Sequence, residues 1–206
     1  MKEPRVENRE GWVWPVQDVK CWEWLQAEKD LPNLISSYCA NKRVVVQAGG
    51  NCGFYVKPYA QMFETVYTFE PNSLNFYCLT NNVWEGNVVK IQACLGDSHN
   101  SVGLTYKKVN SGVSRVHGEG IFPTFKIDDL GLSNCDLIHL DIEGYEMFAL
   151  KGGIETIKEF KPIIALEWLD HNNQFGISAD DILNWLTELG YKEIASLYHE
   201  KVFSAS

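Results

Sequence analysis

The 206-residue sequence contains no apolar run near the roughly 20 residues a helix needs to cross a bilayer. Its six cysteines (Cys21, Cys39, Cys52, Cys78, Cys94 and Cys135) include no C-x-x-C pair, so no zinc-ligand spacing is present and small, reduced core thiols are expected. A basic surplus is missing too: 18 Lys and Arg against 27 Asp and Glu leave a net charge of −9. Nucleic-acid backbones and anionic membranes demand dense positive charge, so neither is expected as a partner. The N-terminal Met-Lys-Glu-Pro-Arg-Val-Glu has no apolar stretch behind its charges and does not read as a secretory signal, which points to a cytoplasmic protein. Repeats, low-complexity segments and long linkers are lacking as well. The length suits one domain with a substantial core.

What is present is an alternation of strands and helices. Residues 1–42 read as a helical extension packed on the core, with a tryptophan-rich start (Trp12, Trp14) and a stripe of Leu31, Leu34, Ile35, Tyr38 and Cys39 at helical spacing. From residue 43 to 206 the pattern predicts strands at 43–48, 66–70, 88–93, 136–141 and 162–167. Helices are expected over 54–64, 73–82 and 179–189 and after Gly144, with a strand pair at the C-terminus. Residues 101–127 alternate weakly and carry several glycines, as a hairpin or flap inserted into that scheme would. Repeated strand–helix units imply an α/β, doubly wound, Rossmann-like parallel sheet with helices on both faces. Ligands of such sheets sit beyond the carboxyl ends of the strands, which directs attention to the loops after residues 48, 70, 93, 141 and 167.

Those loops hold the polar singularities. Gln47-Ala48-Gly49-Gly50-Asn51-Cys52-Gly53 is a glycine turn between a strand and a helix, where absent Cβ atoms let backbone approach a ligand. Glu70 ends the next strand, 21 positions beyond Gly49, the spacing at which an acidic side chain accepts hydrogen bonds from ribose hydroxyls. Pro71 and Asn72 then open a helix. The glycine turn lacks the G-x-G-x-x-G of a dinucleotide site, since Asn51 and Phe54 stand at the second and third glycine positions, and no P-loop lysine follows. Together these features favour an adenosine-containing cofactor without a pyrophosphate to cradle.

Taken in order, the glycine turn, Thr68-Phe69-Glu70-Pro71-Asn72, Ala93-Cys94-Leu95-Gly96-Asp97, Ile127-Asp128-Asp129-Leu130 and Asp141-Ile142-Glu143-Gly144-Tyr145-Glu146 resemble the FkbM-type family of class I methyltransferases. The resemblance covers about residues 43–170. It implies S-adenosylmethionine as cofactor and S-adenosylhomocysteine as product. By position, Gly49, Gly50, Asn51 and Gly53 would wrap the methionine part, Glu70 with Pro71 and Asn72 would hold the ribose side, and Ala93 would border the adenine. Gln47 stands where family members usually carry Asp or Glu, so it can hydrogen-bond but not pair with the cofactor's ammonium group. The implied acceptor is a hydroxyl on a sugar, glycan or small natural product.

Transfer to an alkyl hydroxyl benefits from a general base. Asp141 and Glu143 point the same way if their strand continues, and Glu167 and His171 follow the fifth strand; Asp141, Glu143 and His171 are the catalytic candidates, with Asp141 also beside the cofactor. The alternative for Asp141 and Glu143 is capping of the following helix. Hard oxygen ligands of this kind suit a divalent metal, but no spacing demands one and none is expected. Trp12, Trp14, Trp22 and Trp24 are read as packing the extension onto the sheet, the alternative being a roof over the cleft. Two further functional readings stay open: a cofactor-binding module without turnover, favoured by Gln47, and a nicotinamide-dependent oxidoreductase, opposed by the absent third glycine.

Overall fold

The computed structural model of the chain describes residues 5–107, 110–168 and 175–206. Its first elements correct the helical reading of the N-terminal extension. Strands β1 (Val6–Arg9) and β2 (Trp12–Pro15) form an antiparallel hairpin before helices α1 (Val19–Ala27) and α2 (Leu31–Ser36). The turn residues Glu10 and Gly11 have φ of 51° and 90°, the pair of left-handed conformations that matches strand twist in a two-residue hairpin. Aromatic and β-branched residues at 12–14 then favour a strand over a helix.

The hairpin is fastened to the core through tryptophan. Trp14 is fully buried, meets Trp22 edge-on at 5.1 Å and donates from Nε1 to the Asp18 carbonyl at 2.8 Å. Asp18 caps α1 by accepting from the Cys21 amide. Asn82 clasps the backbone of Val13 in both directions, at 2.7 and 2.9 Å.

The central sheet follows the expected alternation. In chain order come β3 (Val44–Ala48), α3 (Val56–Met62), β4 (Thr65–Phe69), α4 (Ser73–Asn82) and β5 (Val88–Ile91). Next are β6 (Cys94–Leu95), β7 (Ser101–Lys107) and β8 (Asn110–Phe125), then β9 (Leu137–Leu140), α5 (Glu146–Lys151) and α6 (Ile154–Phe160). The chain closes with β10 (Ile163–Glu167), α7 (Ala179–Glu188), β11 (Tyr191–Leu197) and β12 (Glu200–Ala205). Seven strands form one sheet in the order β11-β12-β10-β9-β3-β4-β5, parallel from β10 through β5, with β12 antiparallel to both its neighbours.

Alternation along β3 explains the two layers. Val45 joins the core under α1, α2 and α3, whereas Val46 and Ala48 join the core under α5, α6 and α7. The crossover from β5 to β9 is the exception to the strand–helix rule. Strands β7 and β8 pair antiparallel, and β8 also pairs in parallel with β6. Among the described residues no helix is long and apolar enough to cross a membrane.

Candidate active site

Strands β3, β4, β9 and β10 end on one side of the sheet, and a cavity of about 300 Å³ opens there. Its first half is built around the turn after β3. Gly49 has φ of 85°, and a Cβ there would lie 1.9 Å from the backbone oxygen of Asp141; one on Gly50 would lie 2.6 Å from Thr68 Oγ1. The turn therefore passes between β4 and β9 only because these positions carry no side chain. Gly49, Gly50 and Asn51 line the cavity. Gly53 lies outside its wall, against Val83 and Leu79.

Glu70 locks the turn in place. One carboxylate oxygen accepts from the Asn51 amide at 2.8 Å and the other from the Asn72 amide at 2.7 Å. Burial pushes its pKa up to about 7, against the pull of those hydrogen bonds and one from Asn75. Pro71 and Ala93 line the same half, while Asn72 turns away to cap α4, accepting from the amides of Leu74 and Asn75. Gln47 is not in the cavity wall. Its side chain is fully buried within the sheet, accepting from Thr68 Oγ1 at 2.6 Å and donating to the Ala48 carbonyl at 3.0 Å.

The second half, over β9, β10 and β12, is acidic. Asp141, Glu143, Glu167, Glu200 and Glu28 all line it. Asp141 and Glu143 do not share one face of a continuing strand, because β9 stops at Leu140 and Glu143 has φ of 57°. The bend brings both carboxylates to the cavity instead. Glu146 stabilises that bend, its Oε1 accepting from the amides of Ile142 and Gly144 at 3.1 and 3.2 Å. The N-cap residue of α5, Tyr145, makes no side-chain capping hydrogen bond.

Electrostatics in this half are dominated by one sign. Arg115 of β8 lies 3.8 Å from Glu143 and is the one Lys or Arg in the wall among the described residues. Burial, followed by the charges of Glu200 and Glu143, raises Asp141 well above the carboxylate range; burial with Asp141 and Glu143 does the same for Glu167. His139 beneath them is fully buried and pulled down to about 4 by burial, hence neutral near pH 7, with Nδ1 2.9 Å from Tyr59 Oη. Among the described residues no group of three or more His, Cys, Asp or Glu is arranged to hold a metal ion.

Several wall residues carried no local signal in the sequence. Glu200 reaches the site because β12 pairs with β10 in a register that places it opposite Glu167. Glu28 comes from the end of α1, where its Oε2 accepts from Tyr55 Oη at 3.1 Å. Packing is the role of Trp14 and Trp22, but Trp24 is 57% exposed, lines the cavity and stacks on His199 at 5.6 Å. His171, a catalytic candidate, lies outside the described residues.

A bare-backbone turn, an anchored carboxylate one strand away and an acidic cluster stand at the sheet's switch point, where ligands of such sheets bind. The methyltransferase FkbM domain matches residues 47–193, most of the chain. The chain belongs to the FkbM methyltransferase family. Its fold is that of the S-adenosylmethionine-dependent methyltransferases. A methyltransferase FkbM from Methylobacillus flagellatus KT is similar, with a TM-score of 0.53 and 18% identity over 79% of this chain. The chain spans 43% of that protein's length. Ribosomal protein L11 methylase from Lactobacillus delbrueckii subsp. bulgaricus gives a TM-score of 0.52 at 9% identity, covering 88% of this chain and 78% of its own. Magnesium protoporphyrin IX methyltransferase from Synechocystis PCC 6803, solved with bound SAM, gives 0.51 at 12% identity, covering 89% and 80%. No curated protein matches the chain.

Proposed function

We propose that this FkbM methyltransferase moves a methyl group from S-adenosylmethionine to a hydroxyl oxygen of a sugar, glycan or small natural product. The observation that carries this reading is a single cavity holding both the glycine turn with Glu70 and the carboxylates Asp141, Glu143 and Glu167. One end suits an adenosyl group; the other suits a polar acceptor that must lose a proton. When bound, S-adenosylmethionine supplies a methyl group on a positively charged sulfur.

Gly49, Gly50 and Asn51 offer close backbone approach, Glu70 accepts from the ribose hydroxyls, and Ala93 and Pro71 border the base. Gln47, held inside the sheet, acts on the turn through packing. In the transfer the cofactor's methyl would pass to the acceptor oxygen with loss of the carbon–sulfur bond, and a carboxylate of the wall would take the hydroxyl proton. Asp141 and Glu167 fit that last role, since both line the acidic half of the cavity where the acceptor would sit. Glu143 is held beside Arg115 and serves to position the loop. Alignment of acceptor, methyl and sulfur supplies most of the acceleration, because the leaving group is already good. The acidic wall and the net charge of −9 oppose an RNA acceptor.

The test is release of S-adenosylhomocysteine from S-adenosylmethionine with a panel of neutral, amino and acidic sugars, alongside calorimetric titration with S-adenosylhomocysteine. Turnover with any hydroxyl acceptor supports the reading. Tight product binding without turnover on the panel favours the module that binds but does not transfer; absence of binding refutes both.

A further inference from the structure

The carboxylates over β10 and β12 outnumber what the transfer needs, and one of them is poorly partnered. Glu200 is 4% exposed, its Oε2 accepts no hydrogen bond among the described residues, and its Oε1 lies 3.6 Å from Nε2 of His139, which is neutral. Burial, with Glu146 and Glu28 nearby, raises its proton affinity well above that of an ordinary glutamate. A buried carboxyl oxygen without a hydrogen-bond partner is one that a cationic donor entering the cavity would satisfy.

Glu28, His199 and Trp24 line the same cavity. Glu28 lies 3.6 Å from His199, and His199 stacks on the exposed Trp24. An aromatic face beside carboxylates is a setting that receives an organic cation or the apolar face of a sugar ring. Strands lie about 4.8 Å apart, so β12 stands four spacings, roughly 19 Å, across the sheet from β4 with its ribose carboxylate. That separation places Glu200 at the acceptor end.

We infer that the methyl acceptor carries an ammonium group, held by Glu200 and Glu28 beside Trp24, and presents a neighbouring hydroxyl to the transferred methyl. The substrate class is thus an amino sugar or similar amino alcohol, and the assignment rests on the transfer reading above. Held as ammonium, the nitrogen has no free pair and anchors the molecule while oxygen receives the methyl. Acidic acceptors such as uronic acids and sugar phosphates meet five carboxylates against Arg115 and are turned away.

The experiment uses the protein saturated with S-adenosylhomocysteine, which removes the sulfonium charge, and three probes: the methyl glycosides of glucosamine, N-acetylglucosamine and glucose. Glucosaminide is expected to bind about tenfold more tightly than the two neutral probes, and Glu200→Gln to abolish that preference while leaving the product's affinity unchanged. If Glu200→Gln does not fold, Glu28→Gln carries the same comparison. With S-adenosylmethionine, mass spectrometry is expected to find the new methyl on oxygen and the amine unmodified.

Equal binding of the three probes overturns the inference. So does an N-methylated product, or magnesium ion alone displacing the glucosaminide. A Glu200→Gln protein that loses affinity for S-adenosylmethionine relative to its product, with the probe preference intact, overturns it as well, since Glu200 would then serve the sulfonium. Preference in binding without transfer to any hydroxyl upholds the cation site and refutes the transfer reading. Transfer to neutral and amino sugars alike does the reverse.

Discussion

Burial raises Glu70 into the middle of the experimental pH range, so its proposed part in cofactor binding can be tested directly. Its pKa of about 7 comes from burial and stands above the ordinary 4.5. Only the ionised carboxylate is a full acceptor for ribose hydroxyls while also accepting from the Asn51 and Asn72 amides. With a pKa of about 7, roughly 90% of the site is ionised at pH 8 and roughly 3% at pH 5.5, so affinity should fall about thirtyfold between them. Adenosine is the best probe, because it carries the ribose diol without the charged methionine end that Asp141 and its neighbours would sense. Calorimetry or fluorescence titration from pH 5.5 to 8.5 should trace a single step. Glu70→Gln should bind weakly and without that step.

The sign for stability is opposite to that for binding. A carboxyl whose pKa is raised in the fold adds stability that is complete below the unfolded value near 4.5 and lost as pH rises through about 7. The loss is on the order of 3 kcal/mol for a shift of this size. Cofactor binding therefore strengthens over the same interval in which the empty fold weakens. An adenosine affinity that stays flat from pH 5.5 to 8, or a step that survives in Glu70→Gln, would refute the assignment of Glu70 to the ribose.

Other expectations are simpler to check. Gly49→Ala forces a Cβ onto the Asp141 carbonyl and should lower unfolding free energy in urea by at least about 3 kcal/mol, whereas Gly11→Ala, also at positive φ but with nothing within 4 Å, should cost about 1 kcal/mol. Asp136 accepts from the Arg43 side chain and from the Arg43 and Val44 amides, and these bonds hold its pKa below the ordinary range. Asp136→Asn should therefore be less stable than the parent at pH 7, and the difference should shrink as pH falls through the depressed pKa, seen in melting curves at pH 7 and 3.5. Asp141→Asn and Glu167→Gln, assayed with the best acceptor, should each lower kcat by about a hundredfold or more if that carboxylate takes the proton, with little change in product affinity for Glu167→Gln.

How far the sequence reveals this protein depends on whether a feature is local. Helix α4 begins and ends where its residues predict, because Asn72 caps it and Pro71 precedes it. Helix α7 is equally legible through its Ser178–Asp181 capping box and one-sided apolar face. The glycine turn, Glu70 and the Asp141–Glu143 loop announce themselves through spacing. Gln47 does not, since its inward hydrogen bond to Thr68 depends on the β3–β4 register. The N-terminal hairpin was hidden by Glu10, a non-glycine residue in a left-handed conformation. Glu200 and Glu28 come from opposite ends of the chain, and only the pairing of β10 with β12 and the packing of α1 bring them to the cavity.

Every thiol in this chain is interior, and burial raises Cys39, Cys52, Cys94 and Cys135 away from the reactive thiolate. The folded protein should thus react with maleimides slowly, through the opening motions that uncover its thiols. Cys21 and Cys94 stand in the cavity wall itself, so their labelling rate, slowed by whatever occupies that space, turns the chain into its own occupancy gauge with no dye or tag attached in advance.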